Sequence, residues 1–134
     1  MIQRKQTFFL AIAAVALLSS FVVPVDVAVA ESWLPAIVPG ISALVALGAV
    51  FAIFQYADRP RQRSVVMLLQ YGALIVLAAI VVLRFVFRDA AAPLDVASWA
   101  LSAAPAVLAY VFFLLARKGI EQDIALVRSM DRLR

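Results

Sequence analysis

Residues Val65–Phe87 read VVMLLQYGALIVLAAIVVLRFVF, twenty-three positions with one charge, Arg84, and no proline. A run of this length and apolarity is enough to cross roughly 30 Å of hydrocarbon as a helix. Its apolar residues are continuous and do not alternate, so it does not read as an outer-membrane β-strand. Working outward, three further runs repeat the pattern: Phe8–Val25, Leu34–Tyr56 and Val96–Ala116, of 18, 23 and 21 residues. The connections between them are 8 residues each, flanked by a head of 7 and a tail of 18. Short connections suit antiparallel neighbours. The expected fold is all-α: a four-helix transmembrane bundle, up-down-up-down, forming a single membrane domain over residues 1–134.

Composition agrees. Of 134 residues, 66% are hydrophobic and 15% charged, against about 45–50% and about 25% in soluble domains. The mean hydropathy is +1.05. A soluble globular fold and a disordered chain are both excluded. With no cysteine and no histidine, the chain offers no disulfide, no thiolate and none of the usual zinc or nucleophile–base pairs. No enzyme and no cofactor set is legible: acid–base and covalent catalysis need groups that these spans lack.

Charge placement sets the expected orientation. Ten of the twelve lysines and arginines fall on the head, the second connection and the tail, among them Arg59, Arg61, Arg63, Arg117 and Lys118. Arg84 and Arg88 fall on the other side, with Asp26, Glu31, Asp89 and Asp95. Cytoplasmic loops carry the excess of basic residues, so both termini should be cytoplasmic. The pI of about 10.1 then reflects anionic lipid headgroups on that side as partner, and no nucleic acid. A rival reading takes Arg4, Lys5, the first apolar run and Ala28-Val29-Ala30 before Glu31 as a cleavable signal peptide. The run is longer than a signal core of roughly 7–15 residues, which argues for a retained span.

Within the spans, Trp33 and Trp99 belong at the outer interface, and Arg84 is an anchor able to snorkel outward or pair with Asp89, Asp26 or Glu31. Gln55, Gln70, Tyr71 and Tyr110 make a candidate intramembrane polar cluster toward the cytoplasmic half, either a shallow pocket or an interfacial belt. No Asp or Glu lies inside any span. Pro105 should bend the fourth helix. Small residues four apart, such as Ser42 and Ala46 or Ser102 and Ala106, suit close helix packing. In the second connection Pro60 should end a helix, leaving Arg59, Arg61 and Arg63 on a basic turn against lipid or a partner. In the tail, Ile120, Ile124, Val127 and Met130 share one helical stripe, interrupted by Asp123 and Asp131. This is expected to be a separate amphipathic helix, either lying on the membrane surface or docking on a partner with the two aspartates meeting cationic groups, and the sequence does not separate the two. Its candidate contact residues are Ile120, Ile124, Val127, Asp131, Arg132 and Arg134.

The opening Met1-Ile2-Gln3-Arg4-Lys5-Gln6-Thr7 and the closing Leu126-Val127-Arg128-Ser129-Met130-Asp131-Arg132-Leu133-Arg134 resemble a family of small four-helix inner-membrane proteins of the Bacteroidota, classed as a domain of unknown function. The resemblance implies four spans with both ends inside, and no activity or binding residues. The function expected is a non-catalytic accessory or scaffold protein of the bacterial inner membrane, a small subunit of a membrane complex or a homo-oligomer. The alternatives are a small dimeric transporter or channel, and a lipid- or quinone-binding membrane protein.

Overall fold

The computed structural model describes residues 2–23, 25, 33–87 and 95–133, with side chains from residue 5 onward. Among these are four α-helices and no strand: α1 (Ile2–Leu18), α2 (Ile37–Phe54), α3 (Arg59–Val86) and α4 (Val96–Asp131). A 3-10 turn, Ser19–Phe21, follows α1, and another, Leu34–Ala36, leads into α2. Three stretches, Leu34–Phe54, Arg59–Val86 and Val96–Asp131, are long and apolar enough to cross a membrane. The apolar part of α1 with its 3-10 turn, Lys5–Phe21, is shorter.

Several boundaries differ from the sequence expectation, each for a local reason. The first helix starts at Ile2, six residues before Phe8, and leaves α geometry after Leu18. There the Ser19 and Ser20 hydroxyls donate to the carbonyls of Ala16 and Leu17, both at 2.6 Å, competing with the backbone ladder. The third helix begins at Arg59, so Pro60 opens a helix where it was expected to close one. Asp58 caps it by accepting from the Arg61 amide at 3.1 Å, and Pro60 occupies the first turn, where its missing N–H costs nothing. Arg59, Arg61 and Arg63 therefore stand on the first two turns of α3 and not on a loop. The fourth helix does not stop at Ala116: α4 continues through Gly119 to Asp131, so the tail forms no separate surface helix. No glycine has a positive φ. Gly119 serves proximity, since a Cβ there would stand 3.0 Å from Gln6 Cγ.

Neighbouring helices run in opposite directions around a ring. Gln6 near the start of α1 meets Asp123 near the end of α4. Gln62 at the start of α3 reaches Ala52 at the end of α2, while Arg63 meets Glu121 and Arg84 meets Ser98 at opposite ends of the α3–α4 pair. Two apolar clusters fill the interior. One gathers Leu10, Leu17, Ala49, Val66, Phe113 and Ile120, the other Val38, Val76, Ile80 and Leu83. Small residues line the contacts: Ser42, Ala46, Ser102 and Ala106 are all buried. The approach of α2 to α3 leaves no room for a methyl group at Gly72, where a Cβ would lie 2.8 Å from Val45 Cγ2. Such contact is what holds helices together in lipid, where apolar burial gives no drive. The outer surface carries Leu44, Leu47, Phe51, Leu68, Ile75, Phe85 and Leu101, all exposed. Water does not tolerate a belt of this size, whereas hydrocarbon does.

Candidate functional site

A network of polar side chains gathers at the end where α1 and α3 begin and α2 and α4 finish. Glu121 is its hub. Its Oε1 accepts from Arg63 Nε at 2.8 Å and from Arg117 Nε at 3.0 Å, and Arg117 Nη1 donates onward to Gln70 Oε1 at 3.3 Å. Arg117 and Glu121 are one helical turn apart, while Arg63 comes across from α3, so the carboxylate ties two helices. These two hydrogen bonds hold the Glu121 carboxyl below the usual carboxylate range. A carboxylate held ionised and doubly bonded is a fastener and a poor proton acceptor.

Closer to the axis, Gln6 Nε2 donates to Asp123 Oδ2 at 2.8 Å, and both side chains are only 5% exposed. Gln62, also buried, donates to the carbonyl of Ala52 at 3.0 Å, a second bond to an oxygen that already accepts the Gln55 amide, and so ties α3 to the end of α2. These partners account for a feature that a surface helix leaves unexplained. The first half of the tail's apolar stripe faces the core: Ile120 is fully buried and Ile124 half-buried, so Asp123 beside them is buried too and takes its partner from α1, while Val127 and Met130 are exposed. The fourth helix thereby carries one buried carboxylate beyond the span in which none was found.

The other expected site residues divide. Gln70, Tyr71 and Tyr110 do come together, with Arg117, around a small cavity of about 90 Å³. Gln55 stands apart at the end of α2, its Oε1 buried without a hydrogen-bond partner. Tyr71 is exposed, so only Gln70 of the four is buried and partnered within the network. At the opposite end Arg84 is 8% exposed, and it does not snorkel. Its Nη1 donates to Ser98 Oγ at 3.0 Å, its Nη2 to the Ser98 carbonyl at 3.3 Å, and its guanidinium lies 5.8 Å from the Trp99 ring centre. Trp99 in turn meets Phe85 edge-on at 5.0 Å, while Trp33 is exposed. Asp26, Glu31 and Asp89, the expected partners of Arg84, lie outside the described residues, as does Arg134. Along the rest of the tail Val127, Asp131 and Arg132 are exposed.

The sequence reading missed Gln6, Gln62, Arg117, Glu121 and Asp123 as a set. The signal available was spacing: Arg117 and Glu121 are i and i+4, and Asp123 sits three residues after Ile120 on the same face. Among the described residues no group of three His, Cys, Asp or Glu is placed to hold a metal ion.

A family model described as a domain of unknown function, DUF4293, matches residues 26–133. The match takes in α2, α3 and α4 with Arg63, Arg117, Glu121 and Asp123, and all but the last residue of the closing motif; the opening motif lies before it. No curated protein and no solved structure matches the chain. Matched over most of its length by that model, the chain belongs to the DUF4293 family.

Proposed function

We propose that this protein is a non-catalytic accessory subunit of a bacterial inner-membrane complex. It crosses the bilayer four times, up-down-up-down, with the Glu121 end and both termini cytoplasmic. The excess of lysine and arginine at that end supports the orientation. Four antiparallel helices with an apolar outer belt support the crossings, α1 spanning with the help of its 3-10 turn.

One observation carries the accessory reading: α4 outruns its neighbours. From the Arg63–Glu121 contact α4 continues ten residues to Asp131, while only four residues of α3 extend back to Arg59. The difference of six residues is about 9 Å of helix. On this last stretch Leu126, Val127 and Met130 are exposed, Met130 at 65%, and Leu133, two residues past the helix end, is 89% exposed. An apolar strip carried past the bundle on a rigid helix fits a groove in a partner protein.

A photo-crosslinking residue in place of Met130 tests this in native membranes. It is expected to capture one discrete membrane protein reproducibly, while the same residue in place of Leu68, exposed on the bundle's apolar belt, captures none. Equal, diffuse labelling from both positions, with the chain migrating alone in mild detergent, rules the accessory reading out.

A further inference from the structure

We infer that the groove between the first turns of α3 and the last turns of α4 binds the phosphate of one anionic phospholipid, a claim that rests on the membrane placement above. The groove has a volume of about 870 Å³ and is lined by Pro60, Arg63 and Ser64 from α3 and by Ile124, Arg128 and Arg132, among others, from α4. That volume is within the range of small-ligand sites, roughly 300–1,000 Å³.

Its charge is unbalanced. Glu121 also lines the groove, but it is already shared between Arg63 and Arg117. Arg128 and Arg132 have no side-chain hydrogen bond or ion pair among the described residues. Arg63 gives only its Nε–H to Glu121. That bond fixes the plane of its guanidinium, and its two terminal nitrogens have no protein partner among the described residues. Paired guanidinium N–H groups match the oxygens of a phosphate.

The position of the arginines points the same way. Arg59, Arg61 and Arg63 occupy the first two turns of α3, where the helix dipole disfavours cations. An anion seated beside Arg63, the one of the three that lines the groove, eases that penalty. Beside the arginines the groove has an apolar wall of Pro60 and Ile124, and its inner end, at Arg63 and Glu121, lies one turn beyond Arg117-Lys118, where the apolar belt gives way to charge. A ligand that is anionic at its head and apolar beneath satisfies both halves. A free anion leaves the apolar wall wet, and an acidic peptide gains nothing from the nearness of the bilayer.

Native mass spectrometry of the detergent-purified full chain tests the site, with phosphatidylglycerol, phosphatidylcholine and inorganic phosphate as probes. One phosphatidylglycerol per chain is expected, with phosphatidylcholine and phosphate far weaker. In Arg128→Gln/Arg132→Gln binding should fall roughly thirtyfold, at about 1 kcal/mol per arginine. Arg61→Gln, exposed on the same helix end but outside the groove lining, should bind as the unaltered chain does. Equal losses in both variants mean a diffuse charge effect and overturn the site. Phosphate that displaces the lipid at equal concentration overturns the lipid assignment. Carbonate extraction of the unaltered chain separates the two proposals: a chain that stays in the membrane yet binds no phosphatidylglycerol refutes only the site, while a chain extracted by carbonate refutes the membrane placement.

Discussion

Phe113→Ala is expected to lower the unfolding free energy by about 2–3 kcal/mol, read by denaturant titration of the purified protein in bicelles. Phe113 is the largest fully buried side chain among the described residues, packed in one cluster with Leu10, Leu17, Ala109 and Ala116. In a water-soluble core the same truncation costs about 3–5 kcal/mol, because transfer from water and the cavity both count. Here a displaced ring meets hydrocarbon, so the transfer part falls away. What remains is the lost dispersion contact around a void that a helix ring this tight cannot close. Phe54→Ala is the control: Phe54 is 74% exposed, and its loss should change stability by less than about 0.5 kcal/mol. Equal costs for the two variants mean that the helices are not packed as described.

The second large effect concerns Gln6 and Asp123. Asp123→Leu leaves the Gln6 amide buried without its acceptor and is expected to cost about 1–3 kcal/mol. Gln6→Leu should cost more, since the group left without its donor is a carboxylate. The double variant Gln6→Leu/Asp123→Leu should recover most of the loss, because removing both polar partners leaves neither orphaned. The same titration in bicelles measures the cycle. Additive losses in the double variant contradict a direct bond between α1 and α4.

The long apolar helices were legible because length and continuous apolarity act through the solvent: in hydrocarbon only helices and closed barrels satisfy the backbone, and an apolar run without alternation selects the helix. The ends were harder. Asp58-Arg59-Pro60 contains a proline, which stops a helix when it follows one and starts a helix when it sits behind an N-cap; only the Asp58–Arg61 bond decides between the two. Gly119 after Arg117-Lys118 resembles a helix stop, yet the position is set by the nearness of Gln6, more than a hundred residues away in the chain. The polar site depended on the same missing fact. Once α4 continues, the stripe of Ile120 and Ile124 turns inward, Asp123 goes with it, and Gln6 becomes its partner. Gln70 could be singled out from sequence because it interrupts an apolar run. Glu121 could not, because a charged residue in a basic tail looks solvated until α3 is known to lie beside it.

The central claim is that four crossings leave the Glu121 end of the bundle cytoplasmic, and the absence of native cysteine makes it directly measurable. Single cysteines in Lys5→Cys, Ala57→Cys, Ala97→Cys and Ser129→Cys, all at exposed positions, are treated with a membrane-impermeant maleimide in intact spheroplasts. The account predicts labelling of Ala97→Cys alone, with the other three reacting only after permeabilisation. Labelling of Lys5→Cys from outside while Ser129→Cys stays protected contradicts it, as does finding Ala57→Cys and Ala97→Cys on the same face.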